Sequence, residues 1–349
     1  MNFITKSKEI HQKYPNLLVA IFFSGGFLFD IFTLGQVDEL ANFFGHMIYI
    51  ILLITSFLHL ERKYDYQWLN KFALYQKDIF HFFAGSLLSG FAIFFFKSSS
   101  LSVSGLFILL ILALLMANES PKLQSTGPVI KLILLQFCLS AFFIIYIPVI
   151  VGLMGVTIFL ITLVLSAITL PIILTRLKHQ AVLESKIIAV AMSFILLMGY
   201  ITNLIPPVPL SVKKIGVYHN IEKREGVYKL YKEKSFLDYF GLEGHSFKYK
   251  EGDKVFVFAR IFAPKGFKEN LYIQWEKWDK TWKISDKIPL SIKGGNLWGY
   301  RAFTYKKNYS DGLWRARVMS SDKREVARVE FSISPSKVQE REWNIITEE

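Results

Sequence analysis

The sequence predicts a membrane protein in two parts: an all-α bundle of about seven transmembrane helices, followed by an all-β domain of the immunoglobulin-like sandwich type. Three observations support this fold class. Of the 349 residues, 52% are hydrophobic and only 20% are charged, which is unusual for a soluble domain. Seven long apolar runs fill residues 17–205. The rest of the chain changes to short segments of alternating polarity, which is typical of strands.

Each apolar run has about the length that a transmembrane helix requires. The runs cover residues 17–36, 43–60, 79–96, 101–117, 130–148, 150–174 and 187–205. A helix needs ~20 residues to cross a hydrocarbon layer of ~30 Å. The stretch 130–174 as one helix extends roughly 67 Å at ~1.5 Å per residue, which is too long for a single crossing. We therefore predict two spans there, joined by a tight hairpin near Pro148.

The Lys and Arg residues between the runs predict the orientation. Residues 1–16 and the loops at 61–78, 118–131 and 175–186 carry twelve of them, whereas the short loops on the other side carry only Lys97. Positively charged loops stay in the cytoplasm. The N-terminal tail is therefore expected inside and the C-terminal domain outside, which in a bacterium means the inner membrane and the periplasm.

A proline-rich linker and a series of short strands follow the last span. Pro206, Pro207 and Pro209 interrupt the helix and predict a stiff linker over 206–212. Strands are predicted at 213–219, 254–262, 270–278, 281–286, 297–306, 312–319 and 325–333. These strands predict a sandwich domain over 213–335, with a polar tail over 336–349. Glycines interrupt the aromatic residues of 220–247, so that segment is predicted as a loop or short helix on the sandwich or on the membrane surface.

Composition also limits the chemistry. Residues 205–349 hold 28 of the 41 Lys and Arg and 19 of the 28 Asp and Glu. Such a basic excess serves solubility, anionic lipids, acidic polymers or nucleic acid. An extracytoplasmic domain excludes the last of these. The single cysteine, Cys138, excludes an intrachain disulfide, zinc-ribbon and CxxC redox classes. No GxSxG, Walker A or GxGxxG motif is found in a suitable context, so we expect no enzyme and no cofactor.

Two regions resemble a known family. The first covers residues 254–333, and the motifs that carry the resemblance are Gln274-Trp275, Leu290, Gly299-Tyr300-Arg301, Gly312-Leu313-Trp314-Arg315 and Val329-Glu330-Phe331. The second lies in the apolar half, at 78–85 and 117–119. Together they resemble bacterial multi-span proteins with a C-terminal domain of unknown function 2914. The resemblance implies a membrane-attached envelope domain with no established activity. A His commonly precedes the Trp that matches Trp275, but this chain has Gln274.

Polar residues inside the predicted spans form two groups of candidates, because ionisable groups are costly in a membrane. Asp30 and His46 lie near the outer ends of the first two spans, where they can form a hydrogen-bonded lock or an ion site. The inner group lies at one level of the bundle and consists of His59, Asp78, His81, Asn118 and Glu119. These residues are suited to proton relay or metal binding. They are equally typical of interfacial residues that reach the headgroups.

On the sandwich, strand alternation predicts Trp278, Arg315, Arg317 and Arg301 on the outside. An exposed indole with neighbouring guanidinium groups suits an acidic glycan or a protein partner. A solvated basic surface over a Trp core fits the same pattern. We therefore expect a scaffold that binds an envelope polymer or a periplasmic protein, with the lipid bilayer as its other partner. The alternative is proton-coupled or metal-dependent transport or catalysis at the inner group.

Overall fold

The computed structural model describes residues 25–61, 76–120, 124–125, 127–176, 179–234, 246–293, 299–336 and 340–348. These residues form two compact units. The helical unit lies within residues 1–205. The β unit comprises residues 206–349 together with two short segments that connect helices, 97–103 and 151–156. We call these the helical unit and the β unit.

The described residues of the helical unit contain seven helices. Residues 25–33 belong to the first helix, α1, while the beginning of the first predicted span lies outside the described residues. The others are α2 (Leu40–Leu60), α3 (Gln76–Lys97), α4 (Leu101–Asn118), α5 (Pro128–Val151), α6 (Val156–Ile173) and α7 (His179–Ile201), with a 3-10 turn at Leu174–Arg176 after α6. Helices α2 to α7 contain six segments long and apolar enough to cross a membrane. They coincide with the second to seventh predicted runs.

The break between α5 and α6 is displaced from its predicted position. Two helices are present, as the length of 130–174 requires, but Pro148 lies inside α5 and not at the turn. The chain turns over residues 152–155, where Gly152 and Gly155 adopt φ angles of 72° and 119°. These angles are unfavourable for residues with a Cβ atom. The two glycines, rather than the proline, therefore set the hairpin.

Helices α3 and α5 form the interior of the helical unit. In their most apolar 18-residue windows, 72% of α3 and 67% of α5 is buried, compared with 33% or less for the other four. The outer helices leave many large apolar side chains exposed, among them Leu109, Val190 and Phe194. Such exposure is costly in water and favourable in lipid. A polar side chain on α3 or α5 must therefore find its partner inside the protein.

The β unit contains eleven strands in the described residues. They are β1 (Ser211–Tyr218), β2 (Asn220–Arg224), β3 (Val227–Glu233), β4 (Ser246–Tyr249), β5 (Val255–Phe262), β6 (Lys268–Asp279), β7 (Thr281–Lys293), β8 (Tyr300–Lys306), β9 (Gly312–Met319), β10 (Glu325–Pro335) and β11 (Trp343–Glu348). Each of the seven predicted strands is present. The predicted hairpin of the last two is also present, as the antiparallel pair β9 and β10.

The strands form three sheets, with orders β1-β5-β8, β4-β10-β9-β6-β7 and β11-β3-β2. The first two sheets pack face to face over a core that includes Val257, Trp275, Trp314 and Phe331. Trp275 is fully buried, and its Nε1 donates a hydrogen bond of 3.2 Å to Thr304 across the core. This pairing of sheets is the expected sandwich.

The third sheet is a correction to the sequence prediction. Strands β2 and β3 lie in the segment 220–247, which was predicted as a loop or short helix, and β11 lies in the predicted polar tail. A second apolar cluster forms between this sheet and β5, and includes Tyr228, Leu230, Phe256 and Phe258. Strand β5 is therefore buried on both of its faces. The β unit has three layers instead of two.

Glu348 fastens β11 to the layer beneath it. Its carboxylate lies 2.8 Å from Lys214 Nζ on β1 and 2.8 Å from Arg260 Nη1 on β5. Burial alone raises the pKa of Glu348, but the hydrogen bonds and charges of Lys214 and Arg260 bring the pKa below its ordinary value. The ionised carboxylate therefore stabilises the third sheet at neutral pH.

Substitution Glu348→Gln is expected to destabilise the β unit by about 2–4 kcal/mol, because it leaves two partly buried cations without their counter-charge. Thermal unfolding followed by Trp fluorescence measures the change. The matched control is Glu342→Gln, which removes an ion pair with Lys234 in which both side chains are more than half exposed. The control should cost less than about 1 kcal/mol. Equal losses in the two variants would contradict the role of Glu348.

Candidate binding surface and polar clusters of the helical unit

The outer face of the five-stranded sheet carries a row of alternating charges. Trp275 and Trp314 point into the core, so their neighbours in sequence, Glu276 and Arg315, point to the opposite face. The register places Glu276 on β6 directly opposite Arg315 on β9. Arg317 is the next outward residue along β9. The alternation predicted from the sequence is therefore confirmed.

Ion pairs connect these residues into a chain that we call the charge ladder; its members are Arg315, Glu276, Arg317, Glu325, Arg328 and Glu330. Arg315 donates from Nε to Glu276. Arg317 joins the two buried carboxylates, with Nη1 3.2 Å from Glu276 Oε1 and Nε 2.6 Å from Glu325 Oε2. Arg328 also donates to Glu325, at 2.6 and 2.8 Å, and to Glu330, at 3.1 Å. Three guanidinium groups thus balance three carboxylates.

The ladder changes the interpretation of Arg315 and Arg317. Both were predicted as exposed bases, but their side chains are only 13% and 19% exposed and each is paired with a carboxylate. Burial alone raises the pKa of Glu276, yet hydrogen bonds from Arg315 and Gln274 and the nearby positive charges bring the pKa below its ordinary value. These two arginines therefore form internal ion pairs that stabilise the fold.

Arg301 also makes internal contacts within the β unit. Its guanidinium group lies over the ring of Tyr228, with Cζ 5.2 Å from the centroid, and its Nη1 donates to the backbone oxygen of Glu348 at 3.3 Å. Tyr228 and Glu348 belong to the third sheet, which the sequence did not predict. The predicted ligand contact of Arg301 is therefore an internal contact between layers.

Trp278 lies in an exposed apolar patch at the β6–β7 hairpin. Its ring makes an edge contact with Trp282, at a centroid distance of 5.2 Å, and it is 44% exposed. Ile284 and Leu313 lie on the same face and are 55% and 52% exposed. We call Trp278, Trp282, Ile284 and Leu313 the tip patch. Arg315 connects this patch to the ladder, with its Cζ 4.2 Å from the Trp282 centroid.

Asp30 and His46, the predicted outer group, contact two adjacent residues of α3. Ser89 donates its hydroxyl to the Asp30 carboxylate. Gly90 lies against His46, since a Cβ atom at position 90 would be 2.4 Å from His46 Nε2. Tyr146 on α5 completes the cluster, with its hydroxyl 2.7 Å from His46 Nδ1. Asp30 and His46 are thus brought close together, and an internal lock accounts for these contacts.

At the other end of α3, the structure brings together His81, Asn118 and Glu119. His81 Nδ1 lies 2.9 Å from Asn118 Oδ1. The Asn118 Nδ2 atom lies 2.9 Å from the backbone oxygen of His81 and 3.3 Å from Glu119 Oε1. Gly85 allows this approach, because a Cβ atom there would be 3.1 Å from both Asn118 Nδ2 and Glu119 Oε1. His81 and Asn118 are buried, at 2% and 0% exposure.

His59 and Asp78 occupy different surroundings. His59 Nε2 lies 2.7 Å from the side-chain nitrogen of Gln76 at the start of α3. Asp78 is exposed, one helical turn before His81. Among the described residues, no three His, Cys, Asp or Glu side chains are placed to share a metal ion. The predicted inner group is therefore two separate sets of contacts.

Several contributors were missed at the sequence level. Tyr146 and Gln76 lie in or beside apolar runs. Neither side chain ionises near neutral pH, so the pattern of ionisable residues did not indicate them. Glu276 and Glu325 were missed because ion pairs across strands depend on register. Ile284 could have been found from the sequence, because it lies two residues after Trp282 on β7 and therefore on the same outward face.

Comparisons with known proteins support one part of the chain. Residues 268–333 match the model of a family described as "Protein of unknown function (DUF2914)". The match extends from β6 into β10, which includes the tip patch and the whole of the ladder, and it confirms the predicted resemblance in this region. No curated protein matches the chain.

One solved structure that aligns with this chain is that of the alkylpurine DNA glycosylase AlkC of Pseudomonas fluorescens, bound to DNA containing an abasic site analog. It is 8% identical, and the alignment covers 83% of this chain and 77% of that chain with a TM-score of 0.21. A score this low does not indicate a shared fold.

Substitution Glu276→Gln is expected to destabilise the β unit by about 3 kcal/mol, because Arg315 and Arg317 lose their shared counter-charge. Glu330→Gln is the matched control. It removes the end of the same ladder, where the carboxylate is 50% exposed, and should cost less than about 1 kcal/mol. Chemical unfolding followed by Trp fluorescence measures both. A loss for Glu330→Gln as large as that for Glu276→Gln would show that the ladder does not depend on burial.

Proposed function

We propose that the helices anchor this protein in the inner membrane of a bacterium and that the β unit, on the periplasmic side, binds an envelope polymer or a partner protein through the tip patch. The tip patch is the observation that carries this proposal. Half-exposed Trp, Ile and Leu side chains on one sheet face are costly in water, and they are typical of interaction sites. The neighbouring arginines are neutralised by the ladder, so apolar contact supplies the binding energy.

The composition of the β unit supports the proposed sidedness. The segments 97–103 and 151–156 belong to this unit together with the strands. Ser100 donates a hydrogen bond of 2.5 Å to Glu325, and the Gly152 oxygen accepts one of 3.1 Å from the Lys268 amide. Two helices separate 97–103 from 151–156, and two more separate 151–156 from the strands. If each helix crosses the bilayer once, all three parts lie on the same side.

The charge distribution supports the periplasmic side for the β unit. Lys97 is the one basic residue in the short loops on the side of the β unit, against twelve in the opposite loops and the N-terminal tail. Positive loops remain in the cytoplasm, so the β unit belongs outside. That side contains polymers and proteins of the envelope, and a nucleic-acid partner is not expected there.

Thiol labelling in intact cells tests the sidedness. Asn308→Cys places a thiol on an exposed loop of the β unit, and Glu61→Cys places one at the end of α2 on the opposite side. The natural Cys138 is fully buried and gives no background. An impermeant maleimide should label position 308 in intact cells and position 61 only after lysis. The reverse pattern would place the basic β unit in the cytoplasm and overturn the proposal.

Photocrosslinking in the natural host tests the binding role. A benzophenone amino acid at Thr281, in the hairpin that carries Trp278, should give a discrete adduct in living cells. The pair Trp278→Ser and Leu313→Ser should reduce that adduct at least tenfold, because it removes the apolar contact area. The control pair is Tyr305→Ser and Ile345→Ser, which are 48% and 51% exposed elsewhere on the unit. No adduct, or an adduct that survives the tip-patch changes, would contradict the proposal.

A further inference from the structure

His81 has a buried nitrogen that forms no hydrogen bond with any of the residues that the structure describes. Its Nε2 atom is enclosed on α3, and the residue is only 2% exposed. More than nine in ten buried polar groups in proteins have a partner, so an unpaired one needs an explanation, such as a bound water, an ion or a catalytic role. The binding role proposed for the β unit does not use this residue.

The contacts of Asn118 determine which form of the imidazole is present. The Asn118 nitrogen faces two acceptors, the His81 backbone oxygen and Glu119 Oε1. Its side-chain oxygen therefore faces His81 Nδ1, at 2.9 Å, and accepts a hydrogen bond from that nitrogen. A neutral imidazole carries one N–H group, so Nε2 holds the lone pair. Gln124 also contacts Asn118, because its side-chain nitrogen donates a hydrogen bond of 3.1 Å to the Asn118 backbone oxygen.

We propose that His81 is a proton-binding site of the helical unit, where Nε2 takes up and releases a proton while Asn118 holds Nδ1. On uptake, the Nε2 lone pair forms an N–H bond and the ring becomes an imidazolium cation. On release, the same bond breaks and the pair returns to Nε2. The amide oxygen of Asn118 accepts a hydrogen bond but not the proton itself. The ring therefore loads and unloads through one nitrogen and does not pass protons from one side to the other.

Charged residues from three helical segments act on this site. Asp78, one turn earlier on α3, attracts a positive charge on His81, and Lys131 on α5 repels it. Glu119, after α4, reaches the same network through Asn118. Lys131 in turn interacts with Lys77 and Glu61. Protonation of His81 thus changes the electrostatic balance between α3, α4 and α5.

Asn118 is a positioning residue in this proposal, and Gly85 sets its distance. A methyl group at position 85 would lie 3.1 Å from the Asn118 nitrogen, so Gly85→Ala must displace the amide by a few tenths of an ångström. Gly105 on α4 is a matched control, because an added Cβ there meets no atom within 4 Å. The two variants make the same chemical change, and only one of them touches the site.

The test is a pH titration of ring nitrogen signals by 15N NMR, on the full chain in lipid nanodiscs with 15N-labelled histidine. The chain has seven histidines, and the His81→Gln variant identifies the signal by its loss. We expect Nδ1 to be protonated throughout the titration and Nε2 to gain a proton as the pH is lowered. A proton on Nε2 at the upper end of the titration, or no change during it, would overturn the proposal.

Two variants separate proton binding from a structural role. Asn118→Asp keeps an oxygen acceptor at Nδ1 and adds a negative charge, so it should raise the midpoint by at least about one pH unit, a tenfold gain in proton affinity. Gly85→Ala should shift the midpoint as well, whereas Gly105→Ala should leave it unchanged. Equal midpoints in all four proteins would show that Asn118 does not position the site, and would overturn the proposal.

Discussion

The stability of the β unit depends on two buried carboxylates being paired with positive charges. Glu276 and Glu325 are 2% and 4% exposed, and an unpaired buried charge costs several kcal/mol. Arg317 lies between them and contacts both, so β6, β9 and β10 are held in one register by their charges as well as by their backbone hydrogen bonds. This requirement removes the arginines from the surface available to ligands. It leaves apolar side chains at the hairpin as the feature that a partner can contact.

Much of the architecture could be predicted because local signals decide it. Six helices coincide with apolar runs, since length and apolar composition are local properties of the sequence. Alternation placed Trp275 and Trp314 inside and Arg315 outside correctly. The third sheet was missed because β2, β3 and β11 carry many charges and bury few residues each. Their stability comes from Phe256 and Phe258 on the second face of β5, which is a long-range contact that no local pattern shows.

The polar residues of the helices show the same limit. The sequence indicated that His81, Asn118 and Glu119 lie near one level, and the structure joins them. It also indicated that His59 belongs with them, but His59 contacts Gln76 instead, because helical level alone does not specify which way a side chain faces. Whether a polar residue is a site or a lock depends on its remaining hydrogen-bond capacity. His46 has a partner on α5, whereas one nitrogen of His81 has none within the described part of the chain.

Burial of β5 on both faces also affects how the chain avoids self-association. The strand Val255–Phe262 consists of Val, Phe, Ala and Ile around a single Arg260, with no proline or glycine. Segments of this composition readily form cross-β aggregates when they are exposed. Here β5 is the middle strand between β1 and β8 and is covered by a layer on each side. The same arrangement that stabilises the domain therefore hides an aggregation-prone segment, so long as the third sheet stays in place.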